Sequence, residues 1–148
     1  AHTLKGVGQF DGVFQRQIAR HHLQGDDGDE ALVASVIAEY GIEAIIHFAA
    51  KIVVPESVAD PLGYYLNNTS KARNLIATAV RCGVTRFIFS STAAVYGDPE
   101  TQPVTEDAIL RPVSPYGRSK RMVEQMLDDA ARAHDFAYVA LRYFNVTG

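Results

Sequence analysis

Three β-branched apolar runs, each preceded by a stretch of helical periodicity, constrain this chain more than any other feature. They are IEAIIHFAA at 42–50, VTRFIFSSTAAVYG at 84–97 and FAYVALRYFNVTG at 136–148. Their apolar cores do not alternate with polar residues, so they read as strands buried on both faces. Ahead of the first lies DEALVASVIAEYG, with an acidic start, Leu32, Val33, Val36 and Ile37 at helical spacing, and Gly41 as a stop. Residues 56–82 read as helix, with Pro61 near the start or at a kink and Gly83 closing the segment. Residues 116–134, YGRSKRMVEQMLDDAARAH, make a third helix. Strands joined by helical crossovers pair in parallel, so the pattern predicts an α/β fold, a doubly wound parallel sheet with helices on both faces. Residues 1–24 are poorly patterned and read as loop with a short helix, and 98–115 as a proline-rich loop.

With 148 residues the chain suits a single domain, 1–148, large enough to bury a core. The net charge of −3 leaves no excess of Lys and Arg to neutralise phosphates, which argues against a nucleic-acid partner. No apolar stretch reaches the roughly 20 residues of a membrane span, so no membrane partner is expected. The first residues lack the order of a signal peptide, and the single Cys82 suits a reducing compartment. The expectation is a soluble, cytoplasmic protein. His21-His22 has no carboxylate or cysteine at ligand spacing, and no metal site is expected. His47 reads as a satisfied core histidine, Tyr64 and Tyr65 as core packing, and Glu100, Glu106 and Asp107 as a solvated loop face.

In a parallel sheet, ligands sit beyond the carboxyl ends of the strands. Here those ends read HFAA, SSTAAVYG and RYFNVTG, each passing from bulky apolar residues to small or polar ones. Beside them stands SPYGRSK, residues 114–120, with Tyr116 and Lys120 four apart. On a helix the two share a face, with Cβ atoms roughly 5–6 Å apart. A phenol is a poor base near neutrality, and an adjacent ammonium favours its phenolate, so such a pair can exchange a proton with an alcohol. A hydroxyl to orient that alcohol is available at Ser90, Ser91 or Thr92. Against this stands the plain alternative, that Tyr116 and Lys120 are helix surface.

HFAA, YYLNN, FIFSSTAAVYG, SPYGRSK and RYFN, in this order, resemble the extended short-chain dehydrogenase/reductase family, and within it the members that epimerise sugar nucleotides. The resemblance runs from about Gly25 to Gly148 and implies a Rossmann-like domain binding NAD. It implies that Tyr116 is the acid/base on the sugar 4-hydroxyl, that Lys120 holds the nicotinamide ribose, and that Thr92 bonds the same hydroxyl, with Ser91 as the alternative. For the cofactor it implies contacts from Asp26, Asp27, Phe48, Ala49, Ala50, Lys51, Asn67, Ser90 and Phe144. For the substrate, a UDP-sugar, it implies Thr92, Tyr116 and Asn145. The implied reaction is NAD-dependent epimerisation at C4 of a UDP-hexose through a 4-keto sugar. A homodimer through the helices at 60–82 and 116–134 is also implied. Read without the resemblance, Asp26 and Asp27 equally suit helix N-terminal acids, and Asn67 and Asn68 a polar pair on a helix side.

Two departures qualify the resemblance, and a third difference separates the chain from the dehydratases. The opening strand and Gly-rich turn of the family are not found, since Gly6-Val7-Gly8 lacks the third glycine, and the expectation is a central portion of a longer chain. Relatives often carry the cofactor-contacting lysine one position after Lys51, where Ile52 stands here. Dehydratases carry Asp-Glu directly after the threonine, where this chain has Ala93 and Ala94, which favours epimerisation over loss of water. A non-catalytic dinucleotide-binding module is the alternative of a different class.

Overall fold

The computed structural model describes residues 23–99 and 101–144. The expectations for residues 1–22, including Gly6-Val7-Gly8 and His21-His22, and those for Glu100 and Asn145, lie outside the described residues. Helix α1 spans Glu30–Tyr40; the Asp29 carboxylate caps it by accepting from the amides of Ala31 and Leu32. Gly41 ends it at φ 59°, a left-handed turn that favours glycine. Strand β1, Ala44–His47, follows. The helix expected at 56–82 begins earlier and is broken. It forms α2 (Val54–Ala59), a reset at Asp60, α3 (Pro61–Tyr64), a π-helical turn at Tyr65–Ser70, and α4 (Lys71–Arg81). Asp60 caps α3 by accepting from the Gly63 amide, and Pro61 takes the first helical position, where its missing N–H costs nothing. Strand β2 is Arg86–Thr92, running into a 3₁₀ turn at Ala93–Val95. Helix α5 (Pro115–Ala133) and strand β3 (Ala137–Tyr143) complete the described chain.

The strands pair in parallel in the order β1-β2-β3, with Ile45 opposite Phe87 and Phe89 opposite Ala140. This is the arrangement of parallel strands with flanking helices that the sequence pattern predicts, Rossmann-like as the resemblance implies, except that the helices among the described residues lie on one face where the pattern predicts both. Both crossovers advance across the sheet in the same direction, and right-handed connections of that kind place their helices on one face. Ile45, Phe87 and Phe89 accordingly share one core with Leu75, Ile76 and Ala79 of α4 and Val123 and Leu127 of α5. The intervening strand residues Ile46, Ile88 and Ser90 are half-buried, and Val139 is exposed. The helices among the described residues thus cover this one face. Tyr64 is buried as expected, whereas Tyr65 is only half-buried; Leu75 and Ile76 are buried, Val80 packs at the core margin, and no described helix is long and apolar enough to cross a membrane.

Leu75 is fully buried where α4 meets the sheet. Leu75→Ala is expected to cost about 2–5 kcal/mol, the range for emptying a core leucine site, read as a lower midpoint in denaturant unfolding with little change in slope. A cost under roughly 1 kcal/mol would show that α4 is not anchored through this residue.

Candidate active site

The local sequence explains how SPYGRSK starts α5. Ser114 adopts an extended backbone and its hydroxyl accepts from the Gly117 amide at 3.1 Å, while Pro115 opens the first turn. Gly117 is required by contact: a Cβ there would lie 2.7 Å from the Ala94 carbonyl oxygen and 3.1 Å from Cβ of Pro112. The glycine lets α5 press its first turn against the 3₁₀ turn that follows β2. Tyr116, Lys120 and Glu124 then recur at four-residue spacing, and all three are buried. The Tyr116 hydroxyl makes no hydrogen bond among the described residues and is free for a ligand.

Lys120 is 2% exposed, a burial a lysine adopts only when held. Its ammonium donates to the Ser90 carbonyl at 2.8 Å and lies 4.7 Å from the centre of the Phe89 ring. Burial pushes its pKa down to about 8. Two ammonium N–H groups remain beyond the Ser90 bond. Thr92, next along β2, is half-buried and accepts from the Ala94 amide at 3.2 Å, which caps the 3₁₀ turn. Ser91 faces the helices instead: it is buried, and its hydroxyl donates to the Glu124 carboxylate.

At the end of β1, Phe48 is 62% exposed while Ala49 and Ala50 are half-buried. The Lys51 backbone is gripped at both polar groups by Asn68, whose Oδ1 accepts from the Lys51 amide and whose Nδ2 donates to the Lys51 carbonyl, each at 2.9 Å. Asn68 also donates to the Ser119 hydroxyl, which donates in turn to the Tyr116 carbonyl at 2.7 Å. Asn67 is half-buried and donates to Asn68 Oδ1 at 3.0 Å. The Lys51 ammonium lies 3.7 Å from Glu56, turned to the α2 side. The sequence reading left Asn68 as one of a polar pair. Its role follows from the π-helical turn, which rotates this residue inward, and only the adjacency of two asparagines in an amphipathic segment signalled it.

Asp26 and Asp27 part company. The Asp26 carboxylate bonds Lys71 at 2.6 Å and the Gly28 amide at 2.8 Å, and these bonds hold its pKa below the usual value. Asp27 is buried and lies 3.0 Å from Nε2 of His47. The expectation of a satisfied core histidine holds for Nε2 only, since Nδ1 of His47 is buried with no partner. No hydrogen bond joins Asp26 or Asp27 to Tyr116 or Lys120 among the described residues. Phe144, at the end of β3, is 62% exposed and stacks on Tyr96, with ring centres 6.5 Å apart. Glu106 and Asp107 are exposed, although the Glu106 carbonyl accepts from Arg142.

Residues 6–148 match the NAD dependent epimerase/dehydratase family. The chain belongs to that family. A UDP-glucose 4-epimerase of Azospirillum brasilense is 51% identical over 126 residues, 85% of this chain and 36% of the relative. The UDP-Glc/GlcNAc 4-epimerase structure from Campylobacter jejuni superposes with a TM-score of 0.79 at 48% identity, over 82% of this chain and 37% of that one. A UDP-glucose 4-epimerase from Brucella ovis, in complex with NAD, superposes with a TM-score of 0.81 at 42% identity, over 83% and 38%. The chain therefore spans little more than a third of the length of these relatives.

The depressed pKa of Lys120 has a consequence for stability. Between about pH 8 and the ordinary lysine value of 10.5 the unfolded chain binds a proton that the folded chain has released, so stability from this group rises with pH across that window. Below pH 8 the cost of burying the charge is fully present. Lys120→Met lacks this contribution. Relative to it, wild type is expected to gain stability from pH 8 to 10.5, on the order of 3 kcal/mol at most. Parallel stability curves for the two proteins over that range, by denaturant unfolding, would contradict the assignment.

Proposed function

We propose that the protein of which this chain forms part is a UDP-sugar 4-epimerase of the UDP-glucose/UDP-galactose type that uses NAD. The observation that carries the reading is the face shared by Tyr116 and Lys120, with the lysine buried on the Ser90 carbonyl beside Thr92. Tyr116 would take the proton from the sugar 4-hydroxyl and return it. Lys120 would bond the nicotinamide ribose through its two remaining N–H groups and keep positive charge beside the phenol. Thr92 would bond the 4-hydroxyl; the alternative Ser91 has its hydroxyl committed to Glu124. Ala93 and Ala94 carry no acid or base for eliminating water, which favours epimerisation over dehydration. Asn145 is the proposed contact to the nucleotide sugar.

The donor set suits a dinucleotide. Exposed phenyl rings at Phe48 and Phe144, the small Ala49 and Ala50, the Asp26 carboxylate and the Lys120 ammonium match flat rings, a close backbone approach and ribose or adenine polar groups. Asp27, Lys51, Asn67 and Ser90 complete the proposed cofactor contacts: Lys51 through the loop that Asn68 grips, Ser90 by fixing Lys120. When bound, NAD supplies the acceptor and donor of the C4 hydride. The chain's own residues bind, orient and move the proton at the 4-oxygen. This part of the chain is read as one portion of a NAD-binding Rossmann-like domain. Galactose metabolism and a cytoplasmic setting belong to the same reading.

A homodimer is part of the proposal as well. Leu62 and Leu66, four apart from α3 into the π-helical turn, are exposed, as are Val58 on α2 and Met122 on α5, apolar residues suited to a helix bundle between two copies. Sedimentation of the full-length protein at micromolar concentration is expected to give a dimer, and Leu62→Glu with Leu66→Glu a monomer.

Conversion of UDP-galactose to UDP-glucose by the full-length, NAD-loaded protein tests the enzymatic reading. Tyr116→Phe is expected to lower kcat at least about 100-fold while NAD stays bound. Full activity in Tyr116→Phe would remove the tyrosine from the mechanism. Turnover of N-acetylated UDP-sugars alone would keep the chemistry and change the substrate.

A further inference from the structure

Behind the Tyr116–Lys120 pair lies a second buried polar cluster with no part in the reaction as described. Glu124 is 2% exposed, one turn beyond Lys120 on α5. Its Oε1 accepts from the Ser91 hydroxyl and from Nε of Arg142 at 3.1 Å, and its Oε2 from Arg142 at 3.0 Å and Arg121 at 3.4 Å. Hydrogen bonding to Glu124 comes first among the causes that raise the Arg142 pKa, and that guanidinium remains charged. Arg142 reaches on to the Tyr96 hydroxyl at 3.0 Å and the Glu106 carbonyl at 3.1 Å, and lies over the Tyr96 ring, which stacks on Phe144.

These contacts have a common geometry. Ser91 lies between Ser90, whose carbonyl holds Lys120, and Thr92, whose hydroxyl caps the following turn. Strand alternation turns Ser91 toward the helices and its two neighbours away from them. A bond from the Ser91 side chain to Glu124 and a bond from Lys120 to the Ser90 backbone carbonyl therefore fasten α5 to β2 at two successive residues. Arg142 fastens the end of β3 to the same carboxylate. We propose that Glu124 is a positioning residue. Through Ser91 and Arg142 it sets the spacing between Tyr116 and Lys120 on α5, Thr92 at the end of β2, and Phe144 at the end of β3. A buried carboxylate met by a bidentate guanidinium and a hydroxyl has its accepting positions filled, so the cluster holds one arrangement rather than several. The inference rests on the enzymatic reading for its kinetic consequence and on geometry alone for its structural one.

Ser91→Ala is the informative variant, because it removes the tie to β2 and leaves the Glu124–Arg142 pair intact. In the full-length, NAD-loaded protein it is expected to lower kcat about tenfold, as for loss of a hydrogen bond to a charged group, with KM within about twofold. Ser91→Thr, which restores the hydroxyl, is expected to recover most of the loss. Independently of activity, hydrogen exchange at the Ala94 and Tyr96 amides, whose bonds to Thr92 and Ala93 define the turn, is expected to quicken about tenfold with β1 unchanged. If the wild type turns over no UDP-sugar, the enzymatic reading fails by itself and exchange still decides the positioning role. Unchanged exchange at the turn, or a rise spread evenly over the sheet with kcat and KM moving together, would overturn the proposal. Should Ser91→Ala not fold, Glu124→Asp, which keeps the charge and shortens the reach, is read in the same way.

Discussion

The contact on which the candidate site depends is the approach of the first turn of α5 to the end of β2. It is set by an absence of atoms: Gly117 has no Cβ to collide with the Ala94 carbonyl. Once the helix is that close, a lysine one turn along reaches the strand backbone, and the Ser90 carbonyl takes its proton donor at 2.8 Å. Burial of an ammonium is costly unless it is bonded, and here one carbonyl and one aromatic face meet it. The depressed pKa of Lys120 is the residue of that cost. A proton-exchanging site benefits from such a group, whereas a purely structural position would be better served by leucine.

Around this contact the fold arranges supports rather than further chemistry. Asn68 joins the loop after β1 to α5 through Lys51 and Ser119. Glu124 joins α5 to β2 and β3 through Ser91 and Arg142. Both supports are buried side chains with several bonds each, on helices that pack on the covered face of the sheet. The strand-end residues Phe48, Phe144 and Thr92 are by contrast exposed or half-buried. Rigid buried ties behind an open edge are what a site needs if it must hold a flat cofactor and a sugar at fixed distances.

Much of this was legible in the order of residues. The three apolar runs announced parallel strands, and the runs between them were amphipathic at helical spacing, because burial on one face imposes a period that sequence records directly. Tyr116, Lys120 and Thr92 were legible for another reason: they sit in a contiguous motif or at the end of a strand, where position follows from the element. The break of the long helix at Asp60 was half legible, through Pro61. The π-helical turn was not, since nothing in YLNNTS distinguishes five-residue from four-residue hydrogen bonding. Asn68 and Glu124 were missed for a related reason. A buried polar residue on a helix reads like a solvent-facing one until the partner that satisfies it is known.

The sequence by itself determined the three strands, their parallel pairing and the phenol and ammonium on one helix face, because each follows from spacing within a segment or from a helical crossover between two strands. Tertiary structure alone decided which of two adjacent residues faces the site. It turned Ser91 to Glu124 and left Thr92 at the open edge; it buried Asp27 against His47 and left Asp26 exposed beside Lys71; and it turned Asn68 inward, with Asn67 beside it. Neighbours in a chain differ in direction only by the register and rotation of the element that carries them. Those are fixed by contacts between segments 20 to 51 residues apart, such as His47 with Asp27 and Ser119 with Asn68.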